Sequence, residues 1–257
     1  MPNEPIKLAI NGAAGRMGRR LIDLAGQDGR FAVACAIEQP GHPFIGKELG
    51  GVMHTDRLVG PVDVVIDFSL PGGTQSVLAS ALNGRIPMVI GTTGLGSVQG
   101  MIDEAARHIP IVQAANYSVG VNALLKLVAE AARILGADYD IEIVETHHRF
   151  KKDAPSGTAM ALAQGLCRAT GRDIASALRH GRQGEAPRAA GEIGMHAVRL
   201  GDTVGEHAVH FGSLGETVTL AHSAHTRDTF AQGALRAAGW IVGKPAGKYG
   251  MGDVLFG

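Results

Sequence analysis

From His147 to Ala159 the chain reads HHRFKKDAPSGTA, and this stretch gathers residues suited to handling a proton and an anion together. An imidazole titrates near neutral pH and an ammonium can donate a proton, so His147 and Lys151 are candidate proton donors. Pro155 suits the approach to a helix, and Ser156 is a good cap. Gly157 and Thr158 then present backbone N–H groups where the helix begins, an anion site that needs no side-chain charge. With His147, His148, Arg149, Lys151 and Lys152 just ahead of it, a small di-anionic substrate would meet helix dipole, donors and cations at once. Adjacent histidines on extended backbone point to opposite faces, so one of the pair can pack while the other acts. No metal site is expected, because neither His-Glu-x-x-His nor Cys-x-x-Cys spacing accompanies them.

A second chemistry lies near the N-terminus, in Gly12-Ala13-Ala14-Gly15-Arg16-Met17-Gly18. Glycines at this spacing allow a tight strand-to-helix turn and let a pyrophosphate approach the backbone at a helix N-terminus. Glu38 falls 20 residues past Gly18, where a carboxylate can accept hydrogen bonds from the adenosine ribose. Gln39 follows it, so no adjacent cation awaits a 2′-phosphate, although Arg16 could reach from the turn. These residues favour NADH over NADPH. Gly91-Thr92-Thr93-Gly94 and Ala115-Asn116-Tyr117-Ser118 each follow an apolar run, at the strand ends where open α/β sheets bind ligands.

Positioning such residues takes a scaffold, and the first half supplies it by alternation. KLAIN (7–11), FAVACAIE (31–38), VDVVIDFS (62–69), PMVIGTTG (87–94) and IPIVQAANYS (109–118) read as strands, with helices at 16–27, 73–83 and 97–107 between them. Continuous apolar strands separated by helices indicate a parallel, doubly wound α/β sheet covered on both faces. Near residue 119 the style changes. A helix with Val121, Leu124, Leu125, Val128 and Ala132 on one face precedes the half-buried strand YDIEIVETH (139–147). A helix from about 156 to 169 follows, then a polar loop at 171–191 expected to be exposed or mobile. Three alternating strands then suggest an antiparallel or mixed sheet, with a closing helix at 229–242 and a glycine-rich tail. The expected domains are residues 1–118 for the dinucleotide, 119–227 for substrate and oligomerisation, and 228–257 returning to the first.

Composition narrows the classes. In 257 residues, 24 basic side chains balance 24 acidic ones, so no global field recruits nucleic acid or an anionic membrane. No apolar run approaches the roughly 18 residues of a membrane span, and the start lacks a secretory pattern. Cys35 and Cys167 alone suit a reducing cytoplasm.

Taken together, the glycine turn, Gly91–Gly94, Ala115-Asn-Tyr-Ser-Val-Gly-Val121, Glu145-Thr-His-His148 with Lys151, and Asp153-Ala-Pro-Ser-Gly-Thr-Ala159 closely resemble the 4-hydroxy-tetrahydrodipicolinate reductase (dihydrodipicolinate reductase) family. Gly205-Glu-His207 and the final helix through Trp240 fit it too, so the resemblance spans nearly the whole chain. It implies a Rossmann-like domain plus an α+β substrate and tetramerisation domain with an open mixed sheet, hence a homotetramer. It also implies NAD(P)H-dependent reduction of a cyclic imine dicarboxylate in diaminopimelate and lysine biosynthesis. By resemblance His147 is the proton donor or acceptor and Lys151 a proton donor, with His148, Gly157 and Thr158 holding substrate carboxylates. Gly12, Ala13, Ala14, Gly15, Arg16, Met17, Glu38, Gly91, Thr92, Thr93, Ala114, Ala115, Asn116 and Tyr117 become the cofactor contacts. Members that use NADPH well can carry Arg where this chain has Gln39.

Other dehydrogenase chemistries fit less well. A short-chain dehydrogenase needs Tyr-x-x-x-Lys, which none of Tyr117, Tyr139 or Tyr249 begins. A semialdehyde dehydrogenase needs a thiolate, and Cys35 and Cys167 fall inside a strand and a helix. An NAD(H)-binding sensor without turnover would keep the glycine turn but have no use for His147 and Lys151 beside an anion pocket.

Overall fold

A strand covered on both faces is apolar along its buried length, and β1 (Ile6–Asn11), with Leu8, Ala9 and Ile10 wholly buried, opens a series of them. It is followed by α1 (Arg16–Gln27), β2 (Phe31–Ile37), β3 (Glu48–Leu49), β4 (Val52–Thr55), β5 (Val64–Asp67), α2 (Pro71–Gly84), β6 (Met88–Ile90), α3 (Gln99–Ala105) and β7 (Pro110–Gln113). Then come α4 (Val119–Leu135), β8 (Asp140–His147), α5 (Gly157–Thr170), α6 (Ile174–Ala177), β9 (Leu178–His180), β10 (Ile193–Arg199), β11 (Gly205–Ser213) and β12 (Glu216–Ala224). The chain closes with α7 (Asp228–Ile241), β13 (Gly247–Tyr249) and α8 (Met251–Phe256). This computed structural model describes residues 4–257; the first three residues of the expected dinucleotide domain lie outside it. The chain forms two units, one running to Val119 and resuming at Arg227–Gly257, the other Gly120–Thr226.

The first unit is built on a sheet of order β13-β7-β6-β5-β1-β2-β4-β3, parallel except for the β3–β4 pair. Its strands alternate between two cores. Leu8, Ile10, Val64, Ile66, Val89 and Val112 pack with residues of α1, α7 and α8. Ala9, Val65, Met88, Ile90 and Ile111 pack with residues of α2 and α3. The strand order reverses between β1 and β5, which opens a crevice at their C-terminal ends. Arg20 on α1 grips Asp228 on α7 through two hydrogen bonds of 2.7 and 2.8 Å. Gly233 brings α7 so close to Tyr117 that an added Cβ would lie 1.7 Å from its carbonyl oxygen.

The second unit carries a mixed sheet, β12-β11-β8-β10-β9, in which β10 runs parallel to β8 and β9 while β11 runs antiparallel to β8 and β12. Leu124 and Val128 of α4 and Leu162 and Leu166 of α5 pack against Ile141, Ile143, Val209 and Phe211 on one face.

Several expectations need correction. The strands proposed for 62–69, 87–94 and 109–118 shrink to β5, β6 and β7, because their last residues turn away to form loops. β3 and β4 were not anticipated: they are short, and only β4 buries Val52 and His54. The glycine-rich tail is structured as β13 and α8, with Met251 and Val254 buried. The loop at 171–191 holds α6 and β9, and Arg182 and Arg188 tie it down by ion pairs to Glu142 and Glu192.

Candidate active site

The glycine turn joins β1 to α1. Gly12 has φ +77°, and a side chain there would also bring Cβ within 2.7 Å of the Phe68 carbonyl oxygen. Both conditions demand glycine. A Cβ on Gly18 would lie 2.2 Å from the Gly12 carbonyl oxygen, so this residue closes the helix against the turn. Gly15 caps α1 without any side-chain hydrogen bond, and no acidic residue occupies the first turn. The helix N-terminus is therefore open to an anion.

A cleft of about 640 Å³ runs from this turn. Gly12, Ala14, Gly15, Glu38, Gln39 and Arg57 are among its walls. Glu38 accepts a hydrogen bond from the Ala14 N–H at 2.5 Å, so the carboxylate expected on the ribose also braces the turn. Glycine geometry, a bare helix start and a carboxylate at the far strand end together fit a dinucleotide.

Beneath the cleft sits a residue that the sequence reading missed. Asp67, wholly buried at the end of β5, accepts from Asn11 Nδ2, Ser69 N, Ser69 Oγ, Thr74 Oγ1 and Thr92 Oγ1 at 2.5–3.2 Å. Thr92 in turn accepts from Ser69 N at 3.0 Å. One carboxylate thus ties the end of β1, the start of α2 and the Gly91–Thr93 loop together. The only hint was an Asp ending an apolar strand.

The other cofactor candidates divide by exposure. Arg16 and Thr93 are exposed, Met17 and Gly91 half-buried, and Ala13 wholly buried behind the turn. Ala114, Ala115 and Asn116 leave the end of β7, and Asn116 accepts from the Ser118 N–H at 2.9 Å. Tyr117 differs from expectation as a contact. Its side chain is buried, with the hydroxyl 2.9 Å from Ile90 O and 3.0 Å from Val112 O, so its ring serves the core. Burial pushes the phenol well above its ordinary pKa.

In the second unit, strand alternation places Ile141, Ile143, Glu145 and His147 on the buried face of β8. Glu145 is wholly buried. Its Oε2 lies 2.5 Å from His147 Nδ1 and accepts from Arg199 Nη1 at 2.9 Å. Its Oε1 accepts from Arg199 Nη2 and from Ser156 N, each at 3.0 Å. Burial alone would raise the Glu145 pKa, but the bonds from Arg199, His147 and Ser156 outweigh it and hold it low. His147 is lowered, burial being the main cause; Glu145 opposes it, while Lys151 and Arg199 add to it.

Ser156 caps α5 by accepting from Ala159 N at 3.1 Å, so the Gly157 and Thr158 amides stand at the helix start. His148 Nδ1 is buried and, among the described residues, lacks a hydrogen-bond partner. Lys151 Nζ lies 2.9 Å from Asp153, which holds the Asp153 carboxyl below its usual range. The structure brings His147, Ser156 and the start of α5 into one network. Glu145, Arg199 and His207 belong to it; Glu145 and His207 stood only within the motifs of the resemblance, without a role, and Arg199 was missed, although the i, i+2 spacing of Glu145 and His147 on an alternating strand was a usable signal. Among the described residues no group of His, Cys, Asp or Glu is placed to hold a metal.

The model described as "Dihydrodipicolinate reductase, N-terminus" matches residues 6–117, and "Dihydrodipicolinate reductase, C-terminus" matches 120–255. The chain belongs to the dihydrodipicolinate reductase family. Curated relatives named 4-hydroxy-tetrahydrodipicolinate reductase, from Alkalilimnicola ehrlichii and Thiobacillus denitrificans, are each 45% identical over 97% of this chain and 98% of theirs. Among solved structures, a dipicolinate-bound dihydrodipicolinate reductase from Paenisporosarcina sp. TG-14 superposes with a TM-score of 0.79 at 22% identity, covering 98% of this chain and all of that one. That likeness establishes the shared dihydrodipicolinate reductase architecture, a Rossmann-like α/β unit with a second mixed sheet.

Proposed function

We infer that this protein is a 4-hydroxy-tetrahydrodipicolinate reductase that uses NADH or NADPH. It acts in the diaminopimelate route to lysine, adding one hydride and one proton to the cyclic imine left when the hydroxylated substrate loses water. When bound, the dinucleotide supplies the hydride. The unit that carries the glycine turn serves as the dinucleotide domain, and the unit Gly120–Thr226 serves as the substrate domain. Gly12–Met17, Glu38, Gly91–Thr93 and the Ala114–Tyr117 backbone hold the cofactor.

His148 and the amides of Gly157 and Thr158 receive the substrate carboxylates, because the two amides stand at the positive start of α5 and His148 Nδ1, among the described residues, has no hydrogen-bond partner. His147 and Lys151 deliver the proton. The observation that carries this assignment is the sharing of Glu145 between His147 Nδ1 and the Ser156 amide, which fixes the imidazole beside the anion-receiving start of α5. Within the second unit, α4 and α5 pack on one face of the sheet, and Val198 on β10, pointing to the other face, is 40% exposed, which supports association of four copies through that face. Among the described residues no helix is long and apolar enough to cross a membrane. Two unpaired cysteines support a cytoplasmic location.

A coupled assay tests the activity. Substrate is generated from pyruvate and aspartate semialdehyde with the upstream synthase, and loss of NADH or NADPH absorbance is followed. Oxidation that depends on this protein is expected. Absence of oxidation with either cofactor, in a folded protein that still binds NADH, would overturn the reading in favour of a sensor.

A further inference from the structure

We infer that Glu145 is the positioning residue for His147: it holds the proton on Nδ1 and leaves Nε2 as the nitrogen that exchanges a proton in turnover. The inference rests on the role proposed above for His147.

The lone pairs of Glu145 decide the matter. A carboxylate offers about four acceptor directions. Here all are taken, by Arg199 Nη1, Arg199 Nη2, Ser156 N and His147 Nδ1. The first three are obligate donors, two of them from a guanidinium, and together they hold the carboxyl below its usual range and favour its charged form. Glu145 is therefore ionised, and an ionised carboxylate can only accept. The hydrogen between Glu145 and His147 consequently sits on Nδ1. This settles the tautomer: neutral His147 carries Nδ1–H, and the proton gained and lost in turnover is on Nε2.

The direction of Nε2 follows from the same contact. With Nδ1 anchored, Nε2 turns towards the first residue of β11, where a Cβ on Gly205 would lie only 3.0 Å away. The missing side chain leaves the ring room to sit in this orientation. Arg199 extends the grip by donating to the Asp153 carbonyl oxygen at 2.7 Å, which ties the loop carrying Lys151 to the same carboxylate.

The charges around His147 show why an acid is needed there. Lys151 and Asp153 approach from the loop after β8, Arg199 from β10, His207 from β11 and the Ser156 hydroxyl from the cap of α5. Burial disfavours a proton on His147, and the charges of Lys151 and Arg199 disfavour it further. Glu145 is the anion in direct contact. A neutral amide in its place would leave two cations and a buried ring, and the ring would be protonated only at lower pH.

The test uses the full-length protein and reads the imidazole directly. Nitrogen-detected NMR of the wild type should show His147 as the Nδ1–H tautomer above its pKa; the Nε2–H tautomer, or a rapid mixture of the two, would overturn the inference without any variant. In Glu145→Gln the His147 titration should move down by about one pH unit or more. Its kcat should fall about 100-fold with the KM for NADH nearly unchanged, and the alkaline limb of kcat should move to lower pH. Glu145→Asp, which keeps the charge, should recover part of kcat and return the limb towards the wild-type position. An unmoved His147 titration in a folded Glu145→Gln protein, or turnover near wild type, would refute the role. Were the wild type inactive in the coupled assay, the proposed function would fall, while the tautomer and titration would still decide whether Glu145 controls His147.

Discussion

His207 packs its ring edge-on against His147, with centroids 5.2 Å apart and planes at 76°, while its Nε2 lies 3.1 Å from Ser156 Oγ. The site is thus lined by a second imidazole that is buried, with Nδ1 lacking a partner among the described residues. Burial, reinforced by the charge on His147, lowers the His207 pKa from 6.5 to about 4. The unfolded chain therefore binds a proton at this residue near pH 6.5 and the native state not until about pH 4. Stability from His207 is complete above pH 6.5 and is lost as pH falls towards 4. The shift corresponds to about 3 kcal/mol. Urea unfolding at pH 7 and pH 4.5 should show a clearly smaller acid loss in His207→Gln than in the wild type. Equal losses would mean that His207 is not the group being titrated.

Lys151 touches Asp153 and shares the charged loop with His148, so its role in turnover is separable from cofactor binding. Lys151→Ala should lower kcat by about 100-fold or more, the usual weight of a proton donor. The Kd for NADH, read by fluorescence titration, should barely change. Near-normal turnover would remove Lys151 from the chemistry.

A planar dicarboxylate should occupy the start of α5. 2,6-Pyridinedicarboxylate is expected to compete with substrate, and His148→Ala should raise its inhibition constant about tenfold, the loss of one hydrogen bond to a charged group. Noncompetitive inhibition, or none, would count against this pocket.

Glu38 and Gln39 both line the cleft beside the glycine turn, and Gln39 brings no cation to it. Gln39→Arg should raise kcat/KM for NADPH relative to NADH by about tenfold, because a guanidinium pairs with a 2′-phosphate in bidentate fashion. Steady-state rates with the two cofactors measure the ratio. An unchanged ratio would place phosphate recognition elsewhere, with Arg57 across the cleft as the next position to vary.

Much of this was legible before any coordinates. Both the strand at 31–37 and the helix at 16–27 could be read because a parallel strand and an amphipathic helix leave periodic apolar marks on a single segment. The glycine turn was readable because positive φ and backbone contact each exclude a side chain at Gly12. HHRFKKDAPSGTA was readable because cap and anion site are local in the chain. β13 and α8 were not, since three residues of strand and six of helix are too short to carry a period.

The sequence by itself determined which residue types stand at the turn, at the helix cap and along each buried face, because these depend on neighbours a few residues apart. Only the tertiary structure decided which charges meet. Arg199 is 54 residues from Glu145, and His207 is 51 from Ser156, yet each pair is within hydrogen-bond distance. Strand order put them there: β10 and β11 flank β8 on either side, so the carboxylate at position 145 receives its cation from one neighbour while the imidazole at 147 meets its companion ring from the other. No periodicity along the chain encodes that register, because it is fixed by cores packing across the sheet rather than by local spacing.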